Sequence, residues 1–321
     1  MAVDIGGTKM DIAFLDQNGS FYDSPERVLV PFDRSGVANP EKILDLLEPF
    51  VNQAKKELPN FLGIGLSICG NIDEITGEAV LVANLYWRNV PIGRMAEDQF
   101  DVPILPATDV RMALIAEVLW GKAVNRKHVA WMTLGTGYGG YLFLNGQLYP
   151  GSHGFAGNLG HNIYDEIHGE LCGCGQRGCF ESFVAGPAIA SQGSKAVEEG
   201  QSQILSDLCA KEGNSVTTKM VFKAESMGDP ASKEIIDEVI RKLGISLSSM
   251  VNLLDLEMII LGGGVWKGSP NFIDRVDKRV RGFLMTEEAK KDLEIVRESF
   301  DNSALVGAGA SVFLKNGILS F

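Results

Sequence analysis

Positive charge is in short supply: 29 lysines and arginines stand against 41 aspartates and glutamates over 321 residues, a formal net charge of −12. Gripping a phosphate backbone needs the opposite sign, so no nucleic-acid partner is expected. Long hydrophobic runs are missing as well. No apolar stretch approaches the roughly 18 residues of a membrane span, and the opening Met1-Ala2-Val3-Asp4-Ile5-Gly6 carries no basic leader. The expectation is a cytoplasmic protein with no membrane partner. No linker or low-complexity tract stands out. Cysteine is scarce but clustered: of five, Cys172, Cys174 and Cys179 fall within eight residues, while Cys69 and Cys209 lie alone. Close-set thiols in an intracellular chain point to metal and away from disulfides, and the isolated pair reads as core.

What is present is an ordinary globular composition, 45% hydrophobic and 22% charged. The length allows about two domains of roughly 100 to 200 residues each. Met1 to Asp16 reads as two strands joined by the glycine turn Gly6-Gly7-Thr8. A shift of 129 positions sets Gly6 on Gly135, Thr8 on Gly137, Phe14 on Phe143 and Leu15 on Leu144. Each half of the chain is thus expected to open with strand, glycine turn and strand, two lobes facing each other across a cleft. Apolar periodicity and punctuation predict helices over 41–57, 110–119, 231–254 and 305–314, and strands over 61–66 and 258–261, the last running into Gly262-Gly263-Gly264. Alternation of strand and helix implies an α/β fold.

Gly135-Thr136-Gly137-Tyr138-Gly139-Gly140 fits the glycine fingerprint of dinucleotide folds, but that fingerprint requires a helix next, and Tyr141-Leu142-Phe143-Leu144 reads as a strand. What survives is a loop whose bare amides and Thr136 hydroxyl can cradle phosphate oxygens. Asp4-Ile5-Gly6-Gly7-Thr8-Lys9 offers the same parts plus a carboxylate for Mg2+ and an ammonium. Either loop read alone is equally a tight hairpin.

Several strings together resemble the ROK group of sugar kinases and sugar-responsive repressors: Asp4 to Lys9, Gly70-Asn71-Ile72-Asp73, Asn84-Leu85-Tyr86-Trp87, Thr108-Asp109, Leu134 to Gly140, Ala156 to His161, the cysteine run and Gly262-Gly263-Gly264. The resemblance implies the actin-like (ribonuclease H-like) α/β ATPase fold, two lobes with an interlobe cleft. The expected lobes are residues 1–110, completed by the helix at 305–321, and 111–304, with the metal loop. It also implies ATP and Mg2+ held by Asp4, Gly6, Gly7, Thr8, Lys9, Gly135, Thr136, Gly137, Gly139 and Gly262 to Gly264. The family's C-x-C-G-x-x-G-C-x-E pattern stands here as Cys172 to Glu181. Its three thiolates with His161 make the closed four-ligand set of a structural zinc (Zn2+) site. Asn84, Thr108, Asn158, His161 and Glu181 would line the sugar, and Asp109 would take the proton from its hydroxyl. Read without the family, Thr108 and Asp109 are both ordinary helix caps.

Two positions depart from the family pattern: Thr108 replaces its Asn, and Asn158 its Glu. Exchanging an anionic acceptor for an amide alters which hydroxyls the site satisfies, so the sugar is left open among glucose, mannose, fructose, allose and N-acetylated hexosamines. The expected activity is ATP-dependent phosphorylation of a hexose or hexose derivative, commonly at carbon 6, by a homodimer or homotetramer. The alternative is a non-catalytic sugar-binding regulator. Repressor members carry a DNA-binding module before the first glycine loop, whereas three residues precede Asp4 here, so the kinase is the expectation.

Overall fold

The computed structural model describes residues 1–321 apart from Pro59, Glu74 and Asn214. Contacts divide the chain into two compact units, one of Met1–Arg126, Gly146–Ala156 and Glu298–Phe321, the other of Lys127–Asn145 and Gly157–Arg297.

The first unit opens with β1 (Ala2–Ile5) and β2 (Lys9–Ala13), an antiparallel hairpin paired from Ala2↔Ala13 to Ile5↔Met10. Both strands bury apolar side chains, which is why the run of Val3, Ile5, Met10 and Ile12 forms strands and not surface loops. β3 (Glu26–Leu29) extends the hairpin; helix α1 (Pro40–Glu57) follows. Asn39 caps it, its side chain accepting from the Lys42 amide, and Pro40 occupies the first turn. Next come β4 (Ile64–Ile68), a small antiparallel sheet of β5 (Asn71–Asp73), β6 (Glu78–Val82) and β7 (Trp87–Val90), then α2 (Ile92–Phe100), β8 (Ile104–Thr108) and α3 (Asp109–Trp120). β1, β4 and β8 run parallel, so the sheet order is β3-β2-β1-β4-β8.

The boundary anticipated after residue 110 falls in the first turn of α3. Met112, Ile115 and Ala116 of that helix share a core with Leu305, Val306 and Ala308 near the C-terminus, so burial keeps α3 with the first unit.

The second unit starts with β9 (Val129–Leu134) and β10 (Tyr138–Leu144), also an antiparallel hairpin. A short β11 (Gln147–Tyr149) lies in the 146–156 segment assigned to the first unit. Helices α4 (Glu181–Val184), α5 (Gly186–Glu198), α6 (Gln203–Glu212), α7 (Thr218–Ser226) and α8 (Pro230–Leu254) follow, then β12 (Met258–Gly262), α9 (Phe272–Arg281), α10 (Glu287–Asp292) and β13 (Glu294–Arg297). β12 runs parallel to β9 and to β13, giving the order β10-β9-β12-β13. α8 starts at the Asp229 cap and buries Ile236, Val239, Leu243, Leu247 and Met250 along one face. Among the described residues no helix is long and apolar enough to cross a membrane. The chain closes with α11 (Ser303–Lys315), which packs on α3 so closely that a Cβ on Gly307 would lie 1.6 Å from the Met112 carbonyl oxygen.

The two hairpins differ by one residue. Ile5 pairs with Met10 in the first, but Leu134 pairs with Tyr138 in the second. The shift of 129 therefore holds for β1 and β9 and becomes 128 for β2 and β10, so Phe14 and Phe143 are not register equivalents. The cause is the turn: the Gly6 amide donates to the Lys9 carbonyl, while the Gly135 amide donates to Gly137 across Thr136 alone.

Candidate active site

Ligands of open α/β sheets gather at the carboxyl ends of parallel strands. In the first unit those ends are in register, Ile5 beside Ile68 and Ile68 beside Thr108. Asp4, Ser67, Cys69 and Asp109 collect there. Asp4 accepts from the Ser67 hydroxyl at 2.6 Å and from the Asn302 amide at 3.1 Å, and the same Asn302 nitrogen lies 3.1 Å from Asp11. Burial raises the Asp4 carboxyl above the usual range, against the pull of those two hydrogen bonds, and the Asp11 charge adds to the rise. The hydrogen bond from Arg27, which grips both Asp11 oxygens, is the main cause that holds Asp11 below that range.

Thr108 settles which residue caps α3: its hydroxyl accepts from the Arg111 amide at 3.3 Å. Asp109 is thereby released from capping. One of its oxygens accepts from the adjacent Val110 amide, at 2.9 Å. Burial, and then the nearby negative Asp4, push its carboxyl up to about 7. A carboxylate so poised is suited to accept a proton at neutral pH. Cys69 packs against the first unit's core, as expected, and its thiol is pushed up to about 12, chiefly by burial and then by Asp109, while a hydrogen bond with Asn84 acts against the rise. Asn84 also packs on the first glycine turn, where a Cβ on Gly7 would come within 2.8 Å of the Asn84 Cβ. Gly6 stands half-buried behind it, with Thr8 and Lys9 exposed at the tip.

In the second unit the Gly135–Gly137 turn sits over Glu181. The Tyr138 amide donates to Glu181 Oε2 at 2.9 Å, and a Cβ on Gly137 would come within 2.8 Å of that oxygen. Gly135 is tied to α5, its carbonyl accepting from the Gly186 amide at 2.7 Å. Beyond the turn opens a cavity of about 700 Å³ walled by Gly135, Thr136, the starts of α5 and α7, and Gly264 to Gly268. Thr136 is exposed at its mouth, and Gly264 forms part of the wall. Gly262 ends β12 in ladder with Thr133, Gly263 makes the bend at φ 100°, and Gly139 lies within β10. Helix N-termini beside glycine turns bind anions through free amides and the helix dipole.

His161, Cys172, Cys174 and Cys179 form one cluster, their ligand atoms all within 4.8 Å of one another. Cys174 Sγ lies 3.6 Å from Cys179 Sγ, and Cys172 Sγ lies 3.6 Å from His161 Nδ1. A tetrahedral zinc with ordinary bond lengths sets ligand edges of about 3.5–3.8 Å, so the donor set fits that ion. Burial pushes the Cys172 thiol up, the burden a cation would relieve. Nδ1 of His161 faces the cluster, which leaves Nε2 on the far side of the ring. Glu181 adjoins the cluster too, its Oε1 accepting from the Cys172 thiol at 3.5 Å. Asn158 precedes the turn of 3-10 helix at Leu159–His161, its carbonyl accepting from the His161 amide at 3.1 Å.

The first unit therefore brings together Asp4, the Gly6–Lys9 turn, Asn84, Thr108 and Asp109; the second brings together Gly135 to Gly137, Glu181, His161 and the three thiols. Sequence reasoning missed Asn302, Gly186 and the Thr217–Phe222 wall. The signal available was slight: helix-start chemistry at Gly186-Pro187 and at Thr217.

The ROK family model matches residues 1–315. The chain is 28% identical over 311 residues to a glucokinase of Halalkalibacterium halodurans, covering 96% of this chain and 93% of that one. A xylose repressor of Caldicellulosiruptor bescii is 28% identical over 220 residues, covering 68% of this chain and 54% of the repressor. A crystal structure of a ROK family glucokinase from Streptomyces griseus, in complex with glucose and AMPPNP, superposes with a TM-score of 0.78 at 26% identity, covering 96% and 97% of the two chains. The fold is the actin-like α/β ATPase fold of these kinases.

Proposed function

The chain belongs to the ROK family, and from that membership we propose that it is an ATP-dependent kinase of a hexose or hexose derivative, with Asp109 as general base. The observation that carries this is the Asp109 carboxyl, freed from capping by Thr108 and held near 7 by burial and by Asp4. In the reaction a sugar hydroxyl, commonly the one on carbon 6, gives its proton to Asp109 as its oxygen bonds to the γ-phosphorus. The bond from that phosphorus to the β-phosphate oxygen breaks, and ADP leaves. Each glycine turn, Gly6 to Lys9 in the first unit and Gly135 to Gly137 in the second, is a proposed phosphate contact. Asp4 is the carboxylate that would hold Mg2+, which would supply charge neutralisation at the phosphates. Asn84, Thr108, Asn158, Glu181 and Nε2 of His161 are the proposed sugar contacts. Zinc on His161, Cys172, Cys174 and Cys179 would tie the loop that carries them. The cytoplasm, where ATP is abundant, is the compartment this reading requires.

Asp109→Asn tests the proposal. It should retain sugar binding and lose about 10²- to 10⁴-fold in kcat; wild-type turnover would remove Asp109 from its role. The wild type should lose about tenfold in kcat/KM per pH unit below about 7 as Asp109 is protonated. The raised carboxyl also means that the folded chain binds more protons than the unfolded one between about pH 4 and 7, so Asp109 costs stability as pH rises through that window. The same Asn variant should therefore melt higher than wild type at pH 8.

A sugar-binding regulator is the second reading, favoured by the match to a xylose repressor and by Thr108 and Asn158 at sugar-facing positions of the family pattern. It predicts sugar binding with no turnover on a panel of glucose, mannose, fructose, allose and N-acetylhexosamines.

A further inference from the structure

The cavity beside the second glycine turn holds about 700 Å³, far more than a phosphate chain at its mouth would fill. On the kinase reading, the rest receives the base of the phosphate donor. What could read that base decides how selective the site is, because a pocket with placed hydrogen-bonding groups rejects a mismatched analogue by about 10⁴-fold or more, whereas a chiefly apolar one rejects a near-isostere by about 100-fold at most. Side-chain amides read adenine and carboxylates read exocyclic amino groups. Among the described residues, no Asp, Glu, Asn or Gln borders the cavity.

Several lining groups already hold one partner. The Gly135 carbonyl accepts from Gly186 at 2.7 Å, the Gly264 carbonyl from Lys267 at 3.2 Å and the Val265 carbonyl from Gly268 at 2.9 Å. Gly186 O takes the Thr218 hydroxyl at 2.7 Å, and the Thr217 hydroxyl caps the Met220 amide at 3.2 Å. The charged groups left are donors, the exposed ammonium groups of Lys219 and Lys267. A donor serves a ring nitrogen or a 6-oxo oxygen at least as well as it serves the 6-amino group of adenine.

We propose that this cavity holds the purine of the donor by shape and apolar contact, so that GTP and ITP serve as phosphate donors alongside ATP. The proposal rests on the kinase reading, and the experiment separates the two. Using the full chain and whichever sugar supports turnover, kcat/KM is measured for MgATP, MgGTP and MgITP. Ratios to ATP within about 100-fold are expected, and a preference for ATP beyond that overturns the proposal while leaving the kinase standing. If no donor supports turnover, the kinase reading fails, and displacement of a fluorescent ADP analogue by ADP, GDP and IDP decides the base question by the same ratio. A chain that binds none of these nucleotides overturns both. Ala190→Phe, on the α5 wall, should weaken all three purine nucleotides together by about tenfold or more at unchanged melting temperature. Wild-type affinities in a folded variant would place the base elsewhere and overturn the proposal; if the variant does not fold, the wild-type ratios decide.

Discussion

The two hairpins share a frame and differ in chemistry. β1 and β9 each pair antiparallel with the strand that follows and parallel with a later one, β4 or β12. Yet β1 carries Asp4 opposite Asp11, whereas the equivalent pair in the second hairpin is Thr133 opposite Gly139. The first turn thus brings fixed negative charge that burial raises towards protonation, while the second brings bare backbone, a helix start and a carboxylate, Glu181, already engaged. Sheet topology accounts for where the turns stand. Side chains at the strand ends decide what each can bind.

That contrast can be tested by changing one hairpin at a time. Asp4→Asn should lower kcat by about 100-fold or more, the scale of lost charge stabilisation at a metal-assisted phosphoryl transfer, whereas Thr133→Val at the matching place should change it little. Equal losses would erase the distinction between the turns. A smaller effect is expected at the cysteine cluster of the second unit: purified protein should carry about one zinc per chain by elemental analysis, and Cys174→Ser should lose it and lower the melting temperature. Metal-free protein with unchanged melting would remove zinc from the account. The smallest effect concerns an anchor that belongs to the first unit alone. Buried Glu117 accepts from the Lys122 amide at 3.0 Å, the Ser299 hydroxyl at 2.6 Å and the Ser299 amide. Glu117→Gln should cost about 1–3 kcal/mol in denaturant unfolding, with kcat unchanged in the fraction that stays folded.

Much of this frame was legible in the sequence because its signals are local. The glycine turns punctuate apolar runs, α8 announces itself by apolar residues at helical spacing, and the cysteines lie a few residues apart. What was not legible depends on distance along the chain. Asn302 reaches Asp4 and Asp11 from nearly 300 residues away, and no pattern around it marks it out. Cys69 read as an isolated core residue because nothing in its neighbourhood names Asp109 or Asn84 as its surroundings. The cavity beside the second turn is assembled from helix starts and glycines far apart in sequence, whose mostly small residues look like ordinary turns. The one-residue difference between the hairpins was hidden because an alignment of similar letters has no knowledge of pairing register.

Glu181 joins two parts of the second unit. One of its oxygens receives the amide that ends the second turn and the other receives a cysteine thiol of the metal loop. A single carboxylate thus serves as the shared hinge-pin of two neighbourhoods, and damage to either is inherited by the other. On the proposed reading, an oxidant that spoils the sulfur cluster would reach the second turn through Glu181.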